Sequence, residues 1–137
     1  MSSDLFPYMS KWIFVTTSDL KEFDRRINQN SWPIYNHTPH KADLKPGDDV
    51  VFYMGGAGRQ KFVGSATLSS KMIQGDPEHH VDISDVKVWK KPLPIRPIIP
   101  ELKFITRKDK RWGVHLQGGV VPLYDDDYKF ITLKSRK

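Results

Sequence analysis

The apolar residues of the chain fall into short runs, and the densest run follows its clearest turn. Val50-Val51-Phe52-Tyr53 comes directly after Lys45-Pro46-Gly47-Asp48. Proline presets φ for the second turn position and glycine accepts a positive φ after it, so Pro-Gly favours a type II turn. Four β-formers directly behind such a turn predict a buried strand. Lys11-Trp12-Ile13-Phe14-Val15-Thr16 is a second strand of this kind. Its continuous apolarity implies that both faces are covered, or that one face holds core and the other a pocket. Asp19 followed three positions later by Glu22 has the spacing of a capping box, and Leu20, Phe23 and Ile27 form a helical stripe. Together they predict a helix over 19–28, with Lys21, Arg25 and Arg26 on its solvated face.

Gly55-Gly56-Ala57-Gly58 joins the central strand to Lys61–Leu68, which reads as a hairpin. A phosphate-binding loop would need a helix opening with Lys-Ser/Thr where this chain has a strand. Gly64 inside that strand marks a bulge or a close approach of another segment. Val81 to Trp89 alternates loosely and predicts a further strand. Pro92, Pro94, Pro97 and Pro100 then withhold their N–H groups from a regular ladder, which predicts an extended segment at an edge or around the outside. A helical turn is expected within 98–105 and a short strand over 111–117, turned back by Gly118-Gly119 into Val120-Val121. Asp125, Asp126 and Asp127 suit the start of a helix through Tyr128, Ile131 and Leu133.

Residues 1–10 carry no period and read as a flexible leader, with 11–137 as a single domain. Few strand pairs are separated by full helices, which argues against a doubly wound parallel sheet. The expected fold is α+β and β-rich: a small curled mixed sheet or partial barrel of five to six strands, flanked by helices.

Composition narrows the function. No run approaches the ~18 apolar residues of a membrane-spanning helix, so no membrane partner is expected. The chain has no cysteine, which excludes disulfides and thiolate chemistry and points to a cytoplasmic protein. A net charge of +6 favours an anionic partner, of which nucleic acid is the commonest, although solubility charge alone would look the same. Distribution tips that balance, because Lys103, Arg107, Lys108, Lys110 and Arg111 crowd one stretch and Lys134, Arg136 and Lys137 end the chain.

Several stretches together resemble the EVE domain family of the PUA-like superfamily. They are Lys11-Trp12-Ile13, the segment with Trp32 and Asn36, Lys45-Pro46-Gly47-Asp48 running into Phe52-Tyr53, and Val63-Gly64. Leu102-Lys103-Phe104-Ile105, Lys110-Arg111-Trp112-Gly113, His115 and Asp127-Tyr128 complete the pattern, which spans about 11 to 133. Pro33 and Ile34 stand where relatives often carry a glycine and a small residue. The resemblance implies a PUA-like pseudo-barrel and kinship with YTH and ASCH modules. It implies a non-catalytic nucleic-acid-binding role: reading a modified base, flipped into an aromatic pocket, in DNA or RNA. Family members often stand beside restriction or defence genes, so a nuclease is the candidate partner, and the expected state is a monomer. The alternatives are an ASCH-like hydrolase of a modified nucleoside and a small-ligand binder.

A base reader needs aromatic faces, polar groups for the base edge and cations for the backbone. Stacking contributes about 1–3 kcal/mol per base and flipping costs a few kcal/mol, so two stacking faces are expected. The candidate pocket residues are Trp32, which sits in a polar segment read as a loop, with Trp12, Tyr53, Trp112 and His115, and with Asn36 at the mouth. Each has a structural alternative: core for Trp12 and Trp32, a core cap for Tyr53, loop self-capping for Asn36, barrel closure for Trp112 and His115. Backbone contacts are expected from Lys103, Arg107, Lys108, Lys110 and Arg111, helped by Arg59 and Lys61.

No cofactor is implied, and no serine sits in a recognisable nucleophile elbow. Lys41 and Lys45 lie near Asp43 and Asp48, as a hydrolase would require, but turn solvation explains them as well. His37 with His40, and His79 with His80, lack a third ligand for zinc. EDTA is therefore expected to leave both the melting temperature and nucleic-acid affinity unchanged. Stoichiometric zinc found by elemental analysis after chelator-free purification would overturn this.

Overall fold

The computed structural model describes residues 10–17, 19–56, 59–76 and 78–136. Of the expected leader at 1–10, residues 1–9 lie outside them, while the Ser10 carbonyl accepts from the Asp49 N–H at 2.8 Å. The Pro-Gly turn sets the fold in motion as its chemistry dictates: Gly47 takes φ +92°, and the Asp48 N–H donates to the Lys45 carbonyl at 3.1 Å. The strand that follows, Asp49–Met54 (β3), lies parallel to Lys11–Thr16 (β1), pairing Ile13 with Val51 and Phe14 with Phe52. Lys61–Leu68 (β4) returns antiparallel to β3 as the hairpin required. With Ser31–Ile34 (β2), His79–Pro94 (β5) and Val120–Pro122 (β6), the sheet has six strands in the order β2-β5-β4-β3-β1-β6. One parallel pair among antiparallel ones makes it the mixed sheet that was expected.

Both faces of the sheet are covered, so side chains divide by parity along the strands. Trp12, Phe14, Val50, Phe52 and Met54 enter one core, beneath the helix Leu20–Asn28 (α1) and against Trp32. Ile13, Val51 and Tyr53 enter the other, against Ile95, Leu102, Trp112 and the helix Asp125–Ser135 (α2). The Asp19 carboxylate caps α1 by accepting the Glu22 N–H at 3.0 Å. Gly64 is the close approach that was anticipated, since a Cβ there would stand 2.5 Å from the Lys87 carbonyl oxygen.

Three elements differ from their sequence patterns. The Trp32 segment is a strand, not a loop; β2 is an edge strand, where the missing N–H of Pro33 costs no ladder bond. Residues 112–116 form a 3₁₀ turn, with Trp112 and Leu116 buried and Val114 45% exposed, so their burial does not follow the two-residue period of a strand. The proline segment keeps its ladder at the far end, where Leu93 and Pro94 pair with Phe62 and Lys61. Its interruption falls at residues 89–92, which stand opposite Val63 alone.

Two buried carboxylates tie the layers together. Asp48, 3% exposed, accepts from Trp12 Nε1 at 2.9 Å and from the Lys45 N–H at 3.0 Å. Asp127, in the first turn of α2, accepts from the N–H groups of Lys103 and Phe104, each at 2.8 Å. Removing the Asp48 carboxylate strands the Trp12 and Lys45 donors, and an unsatisfied buried group costs about 1–3 kcal/mol. Asp48→Ala should therefore lower stability by about 2–4 kcal/mol and Asp48→Asn by less. Urea unfolding checks this, and an unchanged midpoint for Asp48→Ala would contradict it.

Candidate functional site

The C-terminal end of β1 adjoins two cavities, and Val15 lines both. The first, roughly 200 Å³, is bounded by Trp32, Arg26, Tyr35, Thr38 and the Gly118-Gly119 backbone. Strand β2 places Trp32 opposite Val81 of β5. Its indole stacks on Phe14 with ring centroids 5.8 Å apart, and tilts against Phe52 at 4.9 Å. The Arg26 guanidinium lies over the same indole, 5.0 Å from its centre. Glu22 Oε2 accepts from Arg26 Nε at 3.0 Å and Thr16 Oγ1 accepts from Arg26 Nη1 at 3.2 Å. Hydrogen bonding to Arg25, aided by Arg26, pushes the Glu22 carboxyl down to about 2. The Glu22 contribution is thus complete at neutral pH and is lost progressively as pH falls from the ordinary carboxylate value of 4.5 through about 2. Gly118 has φ +95°, and a Cβ there would meet Pro39 Cγ at 2.8 Å, so this wall of the cavity requires glycine.

The second cavity, roughly 300 Å³, opens on the opposite face of the sheet among Tyr53, Trp112, Arg96, Lys110, Thr17 and Gln60. Arg96 lies over the Trp112 ring at 5.4 Å and donates through Nε to Gln60 Oε1 at 2.8 Å. Burial pushes the Tyr53 phenol up to about 12, so it remains a hydrogen-bond donor at neutral pH.

The sequence-predicted aromatic set is therefore divided. Trp32 lines one cavity, Tyr53 and Trp112 the other, and the expected single pocket does not form. Parity is the cause: Trp32 packs with the even-numbered side chains of β1 and β3, Tyr53 with the odd. Trp12 is fully buried, bonded to Asp48, and lines neither cavity. Asn36 is exposed at the end of β2, and its Oδ1 lies 2.6 Å from His79 Nε2. Because His79 Nδ1 accepts from the Gly75 N–H, Nε2 is the donor and the Asn36 carbonyl is occupied. His115 Nε2 accepts from the Arg107 N–H at 3.0 Å and lines neither cavity.

The expected backbone-binding cluster is largely engaged with the protein itself. Lys103 pairs with Asp126 at 2.6 Å and Arg107 with Asp109 at 3.6 Å. Lys108 Nζ donates to the carbonyls of Ile99, Leu102 and Ile105 at 3.2, 2.8 and 2.6 Å, closing that segment like a cap. Lys110 lines the second cavity, while Arg111 is exposed. Arg59 and Lys61 line a separate depression with Asp19, Leu20, Lys21 and Met54.

Sequence reasoning missed Arg26 and Arg96. Arg26 was assigned to the solvated face of α1, yet its side chain is only 12% exposed. Its position three residues after Phe23, beside the apolar stripe, was the available signal. Nothing in the proline segment marks Arg96. The lysine–carboxylate arrangement of a hydrolase is spoken for: Asp48 lies 3.6 Å from Lys45 Nζ but serves the turn and Trp12, and Lys41 bonds the Asn36 carbonyl. Among the described residues, no group of three or more His, Asp or Glu side chains is placed to hold a metal.

A curled mixed six-stranded sheet with a helix packed on each face is a PUA-like fold. The EVE domain family model matches residues 10–133, and the chain belongs to that family. It is 30% identical over 145 residues to the UPF0310 protein PH1033 of Pyrococcus horikoshii, covering 90% of this chain and 97% of that one. Human THYN1, solved in complex with 5-methylcytosine containing DNA, has the same fold with a TM-score of 0.68 and 12% identity, covering 93% of this chain and 98% of THYN1. The N-terminal domain of Staphylothermus marinus McrB is similar at TM-score 0.59 and 12% identity, over 92% and 94% of the two chains.

The two lysines once grouped together should now behave differently. Lys108→Met removes the donor for three carbonyls and should lower the melting temperature by several degrees, on the order of 1–2 kcal/mol. Lys110→Met, at an exposed position on the rim of the second cavity, should leave it within about a degree. Thermal unfolding followed by circular dichroism distinguishes them, and equal effects would contradict the assignment.

Proposed function

We propose that this chain binds nucleic acid carrying a modified base and seats that base, flipped from the strand, against Trp32. The observation that carries the reading is the Trp32–Arg26 pair at the wall of a small cavity. One aromatic face barely offsets the cost of flipping, and a guanidinium supplies the second planar surface. On entry, the base separates this pair: Arg26 moves off the indole and stacks on the other face of the base. The Thr38 hydroxyl and the Gly118-Gly119 backbone are the polar groups near the base edge.

Two further findings support the reading. The chain carries net charge +6, and its fold is that of a THYN1 structure holding methylated DNA, which favours DNA as the polymer. The association of the family with restriction and defence genes supports a nuclease as the partner that acts on what this chain recognises.

Trp32→Ala is a poor probe, because the indole is 3% exposed among Phe14, Phe23 and Phe52, and its loss would cost about 3–5 kcal/mol of stability. Arg26→Ala is the better one. Binding should be measured on strands differing by one modified cytosine or adenine. The wild-type chain should prefer one modified strand, and folded Arg26→Ala should lose about tenfold of that preference. Equal affinity for every strand would overturn the reading, and turnover of a modified nucleoside, seen by mass spectrometry, would replace it with a hydrolase.

A further inference from the structure

Among the described residues, a group of cations lies away from both cavities, in a groove of roughly 510 Å³ between β5 and α2. Lys87, Lys90 and Lys91 project from β5, and Arg136 joins them from the end of α2. All four are exposed, and among the described residues no carboxylate lines the groove. Among the described residues, none of the four has an ion-pair partner within 4.0 Å. The contrast with Lys103 and Arg107, each paired to an aspartate, is direct.

The backbone explains the placement. Residues 89–92 of β5 oppose the single Val63 of β4, so the strand bulges there and carries Lys90 and Lys91 out of the ladder. The bulge contains Pro92, which has no N–H for the ladder to lose. Two half-buried rings, Trp89 and Tyr128, stand among the cations. Cations that follow a groove, interleaved with aromatic faces, are the arrangement that holds a nucleic-acid strand without reading its sequence.

We propose that this β5–α2 groove is a second binding site, taking the phosphodiester backbone of a nucleic-acid strand. It rests on the nucleic-acid part of the function proposed above and is independent of the Trp32 cavity. Each lysine meets a phosphate, and Trp89 offers a stacking face to a neighbouring base. Affinity is thus supplied at one place and discrimination at another.

The test measures binding of the full chain to a short unmodified single-stranded oligonucleotide by fluorescence anisotropy across a salt series. Changing Lys87, Lys90 and Lys91 together to Gln should flatten the slope of log affinity against log salt by about two, at about 0.7 per lost contact. Affinity near ~0.1 M salt should fall roughly tenfold or more. The matching Lys→Arg triple variant should retain the slope, and so should Lys103→Gln with Arg107→Gln. The ratio of affinities for modified and unmodified strands should be unchanged in the Gln variant, because the base cavity is untouched. Loss of that ratio in Arg26→Ala with the salt slope retained completes the separation. If the triple Gln variant is folded and keeps its slope, or the Lys103/Arg107 variant loses as much, the groove does not hold phosphates. If the Gln variant instead loses binding to phosphatidylserine vesicles while keeping the oligonucleotide, the groove is a membrane-surface site and the proposal falls.

Discussion

Because β1 and β3 are covered on both faces, each apolar side chain along them belongs to one of two cores, and the choice alternates residue by residue. Fully burying a large apolar side chain is worth roughly 1.5–3 kcal/mol, so slipping the β1–β3 register by one residue would misplace every such group at once. That parity holds Trp32 and Tyr53 on opposite sides of the sheet. It also leaves a cavity on each side of Val15, where β1 ends and neither core is complete.

The buried carboxylates then fasten what parity arranges. Asp48 links the Pro-Gly turn to the Trp12 indole, so the start of β3 and the start of β1 are held together by one side chain. Asp127 performs the same service between α2 and the segment at 103–104. Lys108 does it with the opposite charge, by satisfying three carbonyls of a segment that has little regular ladder of its own. Charged residues that look like ligands for an external partner are here partners for the backbone, since a polar group left unsatisfied near the core costs more than an exposed contact returns.

This redistribution changes how the chain would meet an anionic polymer. Cations engaged with aspartates or carbonyls contribute little counterion release, while the lysines of the β5 bulge remain available for it. Arg26 has a different office: held by Glu22 and Thr16, it presents a flat cationic face to Trp32.

Much of the fold was legible in local sequence because its signals are local. The Pro-Gly turn, the Asp19 cap, the hairpin after β3 and the tight passage at Gly64 each depend on the conformational range of one or two residues. The two-sided cover of β1 could likewise be inferred from unbroken apolarity. What the sequence did not show was partnership across distance. Trp32 reads as a loop residue until β5 is seen pairing with it, and 112–116 reads as a strand until Val114 is found facing outward. The Lys103–Arg111 run reads as a free basic patch until Asp126 and the 99–105 carbonyls are in place. Residue type and spacing specify turns, caps and the covering of a strand, whereas the sharing of a cavity and the freedom of a charge are set by contacts between segments far apart in the chain.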